Sequence, residues 1–427
     1  MKRQFFTIVA VIALVFSMAA CSSSSSNGGG KDGKVTLTLL THYSAQQEKE
    51  LMKYINMWNK EHPDIQVKHK SVNFDQLLST IMAQQTSGQV SDIVHVYSLW
   101  SGQLSQSHVL AEPPKAIQQD ITANYPKTAV KSSTVDKQLL GYPSEVETYA
   151  LFYNKKMLKD AGFDHPPKTW NELYDMANKI TKKNAKGKIE QEGFGLMSGW
   201  DSAVVHPYLS FLYANGGQFL NSNNTKAMLE TKQAQDALNY EMKFFKNGIT
   251  DKSFDVIKGF ENQKVAMTIN AGWWNGSLKS VMKNDYKNVG VAPIPSPDGQ
   301  GKGSVSYGYF YGVNNRSQHK KEAWEFLKWL NSKKLDGGAT AEGKFLVSQG
   351  ITPSRESDIK ALSKDIGTAN YKPFIDALNY AKPEPNIFAG QKIKTDLQKE
   401  IEKVWSGQES VKQGLKNANN LINQELK

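Results

Sequence analysis

The chain has 427 residues, 39% of them hydrophobic, and a formal net charge of +11 at pH 7. That length accommodates two or three hydrophobic cores. The charge is almost wholly lysine, with arginine only at positions 3, 316 and 355. Readers of phosphate and base edges rely on arginine forks, and the densest basic run, 181–188, reads as a solvated loop. The balance therefore excludes nucleic acid as a partner and fits a solubility trait of a cell-envelope protein.

At the N-terminus, Lys2 and Arg3 precede an apolar run over 5–16 and then small residues. This is a secretory-signal layout, too short for a permanent membrane span. The chain's single cysteine, Cys21, follows directly and cannot form an internal disulfide. Its position resembles the lipidation site of a bacterial lipoprotein, with Met18 where leucine is usual. The expectation is a signal over 1–20, a lipidated Cys21, and a Ser/Gly tether through residue 34. Removal of Lys2 and Arg3 with the signal takes the charge from +11 to +9.

Residues 35–40 alternate as a strand. Leu51, Ile55 and Trp58 keep helical spacing, and that helix stops before Pro63. A second strand over 65–72, a helix marked by Phe74, Leu77, Leu78, Ile81 and Met82, and a third strand over 92–98 follow. This alternation predicts a parallel sheet covered by helices, joined by right-handed crossovers. The pattern restarts with strand-like runs around Glu145 and Glu147. A helix over 166–180 follows, with Thr169 and Glu172 as a capping box. A helix halted by Gly216 and Gly217 comes next, then one over 234–248. Residues 263–276 read as a strand entering a turn, and 289 onward as a strand entering a Pro/Gly loop. Beyond Lys320 the tail is mostly helical.

The sequence has no HExxH, no Cys/His cluster, no phosphate-binding Gly-Lys loop and no GxSxG elbow. No metal, cofactor or catalytic group is expected. Glu145 and Glu147 lie two apart on a strand and so share one side. They do not supply the facing carboxylates of a glycosidase.

Aromatic residues gather instead in loops and at strand ends: His42 and Tyr43, Tyr97 and Trp100, Trp200 beside Asp201, Trp273 and Trp274 between glycines, and Tyr307 and Tyr309. Rings with nearby carboxylates and amides suit a sugar, whose C–H faces stack and whose hydroxyls need partners. Trp58, Trp324, Trp329 and Trp405 fall in helical patterns and are assigned to packing, and Trp170 to a helix start.

The segments 92–113, 142–162, 166–180, 215–219, 264–276 and 289–299 together resemble the carbohydrate-specific extracellular solute-binding proteins of ABC importers, the family of maltose-binding protein. The resemblance covers nearly the whole mature chain. It implies an α/β two-lobe periplasmic-binding-protein-like fold of type II, with a hinge between the lobes and a ligand cleft. Residues 35–144 with 266–315 would form the first lobe, and 145–265 with 316–427 the second. Ligand contacts would fall at Tyr97–Trp100, Glu147, around Trp200 and Asp201, and at Trp273. One departure is that Phe388 after "PNI" is followed by no further ring. The implied partners are a carbohydrate and membrane permease subunits of an ABC importer, with the receptor a monomer held at the outer face of the bacterial cell membrane by its lipid. A surface glycoside hydrolase, a receptor for a peptide or polyamine, and an adhesin are the alternatives.

Overall fold

The computed structural model describes residues 33–300 and 302–427. The expected signal and the lipidated Cys21 lie outside these residues. Among the described residues no helix is long and apolar enough to cross a membrane.

The main sheet has eight strands: β1 (Val35–Thr41), β2 (Ile65–Ser71), β3 (Ile93–Tyr97), β4 (Tyr142–Asn154), β5 (Met267–Ala271), β6 (Val289–Ala292), β7 (Val305–Val313) and β8 (Lys382–Pro383). Strands β2, β1 and β3 are parallel neighbours, as the alternation with helices requires. Strand β7 then runs antiparallel between β3 and β4. The helices Ala45–Glu61 and Phe74–Ser87 make the first two crossovers. A capping box at Ser44 fixes the start of the first of these. The predicted box at Thr169 and Glu172 is present and opens the helix Trp170–Ile180.

Strand β4 organises the molecule. Its first half, Tyr142 to Thr148, pairs with β7, while residues 149–154 pair with β5 and β6. One strand therefore threads two cores. The first core gathers Leu37, Ile55, Trp58 and Tyr142 with Trp324, Leu327 and Phe345. The second gathers Leu151, Leu173, Tyr208 and Phe244 with Ile393 and Leu415. The tryptophans assigned to packing are buried, Trp58 completely.

The division of the chain between the cores differs from the expected one. Residues 267–271 and 289–292 pair with the far half of β4; the former pack in the second core and the latter in the cluster around Phe152 beside it, not in the first core. The helices Lys320–Ser332 and Ala341–Ser348 pack in the first core, not the second. The physical reason is strand pairing. Strand β5 finds its hydrogen-bonding edge on residues 149–153, and β7 carries the chain back into the first core.

Two glycines mark where the halves meet. A Cβ on Gly102 would lie 2.4 Å from the carbonyl carbon of Ile387, and one on Gly276 would lie 2.0 Å from the backbone oxygen of Gln349. Only a hydrogen atom fits at either contact.

Candidate functional site

Alternate residues of a strand point the same way. Glu145, Glu147 and Tyr149 therefore form a file along β4. Across the sheet Tyr307 lies opposite Glu147, Tyr309 opposite Glu145, and Tyr97 opposite Tyr309. The result is one continuous face of tyrosine rings and carboxyl groups. The Tyr97 and Tyr309 rings lie 5.2 Å apart, and His42 stacks on Tyr309 at 4.9 Å. Trp100 stacks on Phe74 at 5.3 Å.

Glu147 joins this face to the second core. Its Oε2 accepts a hydrogen bond from the backbone N–H of Trp273 at 3.0 Å, at the start of the helix Trp273–Met282. A Cβ at Gly272 would stand 2.7 Å from that oxygen. Glu147 Oε1 and Glu145 Oε2 are buried with no hydrogen-bond partner among the described residues. Burial pushes the Glu145 carboxyl up to about 8. Burial, then the neighbouring Glu145, raises Glu147 well above the usual carboxylate range, against the pull of the Trp273 and Gly272 N–H groups. Burial therefore disfavours the charged form of both carboxyls.

The far wall is a buried polar relay. Tyr149 Oη lies 2.7 Å from His206 Nδ1, and His206 Nε2 lies 2.6 Å from Glu384 Oε1. Lys394 Nζ reaches Glu384 Oε1 at 2.8 Å, Tyr97 Oη at 2.9 Å and Ser202 Oγ at 2.8 Å. Tyr97 Oη donates to Glu384 Oε2. Asp201 Oδ2 accepts from Gln391 Nε2 at 2.6 Å, and Trp100 Nε1 donates to Gln391 Oε1 at 2.8 Å. Tyr97 and Trp100 belong to the first half, while His206, Gln391 and Lys394 belong to the second, so the relay ties the halves together. Burial works against the Glu384 charge, but Lys394 and His206 overcome it and hold the carboxyl down at about 2. Burial lowers His206, aided by Lys394 and opposed by Glu384.

Most of the residues picked from sequence converge here: His42, Tyr97, Trp100, Glu145, Glu147, Asp201, Trp273, Tyr307 and Tyr309. Trp200 precedes the helix Asp201–Ala214 and is 40% exposed at the edge. Two picks pack into cores. Trp274 does not sit in a turn; it lies in the first turn of a helix, 1% exposed, packed against Phe152 and Phe260. One residue earlier on the helix, Trp273 is only half-buried. Tyr43 is 2% exposed, with its hydroxyl 3.2 Å from that of Tyr311, and it fills the first core. Phe388 is an exposed ring.

His206, Glu384, Gln391 and Lys394 were missed. The one local signal was Glu384 set between Pro383 and Pro385. A cavity of about 680 Å3 is lined by Ser98, Val146, Tyr307 and Glu384, and so opens beside the relay and the edge of the tyrosine face.

Two cores threaded by one strand, with rings and carboxyl groups set between them, define a two-lobe solute-binding protein. Residues 44–335 match the family model described as bacterial extracellular solute-binding protein, and the chain belongs to that family. It is 27% identical to the maltodextrin-binding protein MdxE of Bacillus subtilis over 100% of this chain and 98% of that one. It is 25% identical to a putative binding protein of Brucella abortus, over 88% of this chain and 89% of the other. The GacH receptor of Streptomyces glaucescens, solved unliganded and with acarbose, superposes with a TM-score of 0.81 at 21% identity, covering 92% of this chain and 98% of GacH.

Proposed function

We propose that this chain is the sugar receptor of an ABC importer, capturing an oligosaccharide between its two lobes and presenting it to membrane permease subunits. The observation that carries this reading is the face on which Tyr97, Tyr307 and Tyr309 adjoin Glu145 and Glu147, with the Trp273 N–H donating to Glu147. The rings offer flat apolar surface to sugar C–H groups. The buried carboxyl groups, each with an oxygen lacking a partner, suit hydroxyl groups that both donate and accept. With burial raising both carboxyls and disfavouring their charged form, they favour an uncharged ligand over a polyamine. The relatives named for maltodextrin and the receptor solved with acarbose point the same way.

Closure about β4 would then follow the hinge motions of binding proteins, driven by contacts the sugar makes only in the closed form. Trp273→Ala should weaken the best sugar about 30-fold, the loss typical of a dominant aromatic contact. Trp274→Ala should instead cost about 3–5 kcal/mol of stability as a core cavity. Titration of both variants and the parent with malto- and galacto-oligosaccharides, by calorimetry and thermal shift, checks this. If no sugar raises the melting temperature, or Trp273→Ala binds as the parent does, the reading fails. Glu145 and Glu147 project side by side rather than across a substrate, so the receptor should return every sugar intact. Hydrolysis products would favour the glycosidase.

Cys21 would be the lipid attachment point, its tether letting the exported receptor turn beside the permease. Cys21→Ser should release the protein from cells and abolish fatty-acid labelling. Retention of both would remove the anchor.

A further inference from the structure

A second concavity, of about 710 Å3, lies apart from the rings and the relay. It is lined by Lys155, Lys279, Lys287, Lys344 and Lys364, with Asp365 as its sole acidic residue. Lysines elsewhere repeatedly pair with a neighbouring carboxylate, as Lys156 does with Asp160 and Lys372 with Asp376. None of the five lining lysines forms an ion pair among the described residues. Like charges gathered in one concavity raise the local potential and draw a multiply charged counter-ion.

Both halves build the walls. Lys344 sits on the helix Ala341–Ser348, whose Phe345 and Leu346 pack in the first core. Lys279 lies on the helix Trp273–Met282, whose Leu278 and Met282 pack with Phe152 and Val291 of the second half, and Lys287 follows in the next turn, Lys283–Asn288. These walls touch directly where Gly276 meets Gln349. The hydroxyls of Ser348, Thr368 and Tyr371 line the same space and add neutral donors.

We propose that this concavity binds an anion carrying several phosphate groups, held between the two lobes at a site separate from the sugar. Ammonium groups act as point charges toward phosphate. A cavity of this size takes a chain of several phosphates rather than one. The shared chemistry is clustered phosphate, whether a soluble oligophosphate or an anionic lipid headgroup.

Calorimetry of the full chain with tripolyphosphate, and sedimentation with vesicles containing cardiolipin, whose headgroup carries two phosphates, distinguishes these sources. Binding to either should weaken as salt is raised. Lys279→Glu/Lys287→Glu and Lys344→Gln/Lys364→Glu, one pair from each wall, should each lower the affinity tenfold or more. Circular dichroism and melting temperature check that both variants fold. Lys68→Glu/Lys70→Glu, two exposed positions on β2 outside the concavity, changes net charge as much as the first pair and should change affinity less than twofold. The proposal is overturned if neither probe binds, if the control pair loses as much as the wall pairs, or if only one wall matters.

Discussion

Glu384→Gln should destabilise the protein by about 3 kcal/mol at pH 7, because it leaves the buried Lys394 ammonium short of its main counter-charge. Lys394 is 4% exposed, and its nearest remaining carboxylate, on Asp201, stands at 3.5 Å. The same substitution loosens the acceptor that Tyr97 reaches across from the first lobe. The sign with pH follows from the depressed carboxyl. Its contribution is present above the unfolded value, near 4.3, and is lost as pH falls through the folded value of about 2. The gap between parent and variant should therefore narrow steadily from pH 5 to pH 2. Denaturant unfolding of Glu384→Gln, Lys394→Met and the double variant measures the pair directly. The double should cost less than the sum of the singles. Additivity within about 0.5 kcal/mol would show that the two groups do not interact.

Glu145→Gln should act in the opposite direction. Burial raises this carboxyl to about 8, and its Oε2 finds no partner. A raised carboxyl penalises the folded state as pH climbs from the unfolded value, near 4.3, through the folded one. The parent should lose stability from pH 5 to pH 9, by up to about 4 kcal/mol at the upper end. Glutamine keeps the shape and cannot ionise, so the variant should match the parent near pH 4 and exceed it at pH 9. Melting curves across that range check this. A variant that melts earlier than the parent at pH 9 would mean that the charged carboxylate is held by contacts and that the site is built for a cation.

Both predictions turn on residues whose importance was unequally legible. Glu145 and Glu147 stand in a strand pattern, where strict alternation sets them on one face with Tyr149. Glu384 and Lys394 carry no such pattern. They matter because β8 lies beside β7, setting Glu384 against His206 and Tyr97 from distant parts of the chain. Trp273 and Trp274 show the limit within two residues. Their composition announces an aromatic platform, yet only the packing of the helix leaves one half-buried and sets the other onto Phe152.

What the sequence by itself determined was local: the capping box at Thr169, the helical stripe of Leu51, Ile55 and Trp58, the parallel start of the sheet, and the family these motifs resemble. Caps and periodicities act over a few residues, so they are written in adjacent letters. Only the tertiary structure decided which core owns residues 267–271 and 320–332, which of Trp273 and Trp274 is fully buried, and that a His–Glu–Lys relay ties the lobes. Those outcomes depend on which backbone edges pair across more than a hundred residues, and on burial that no single segment contains.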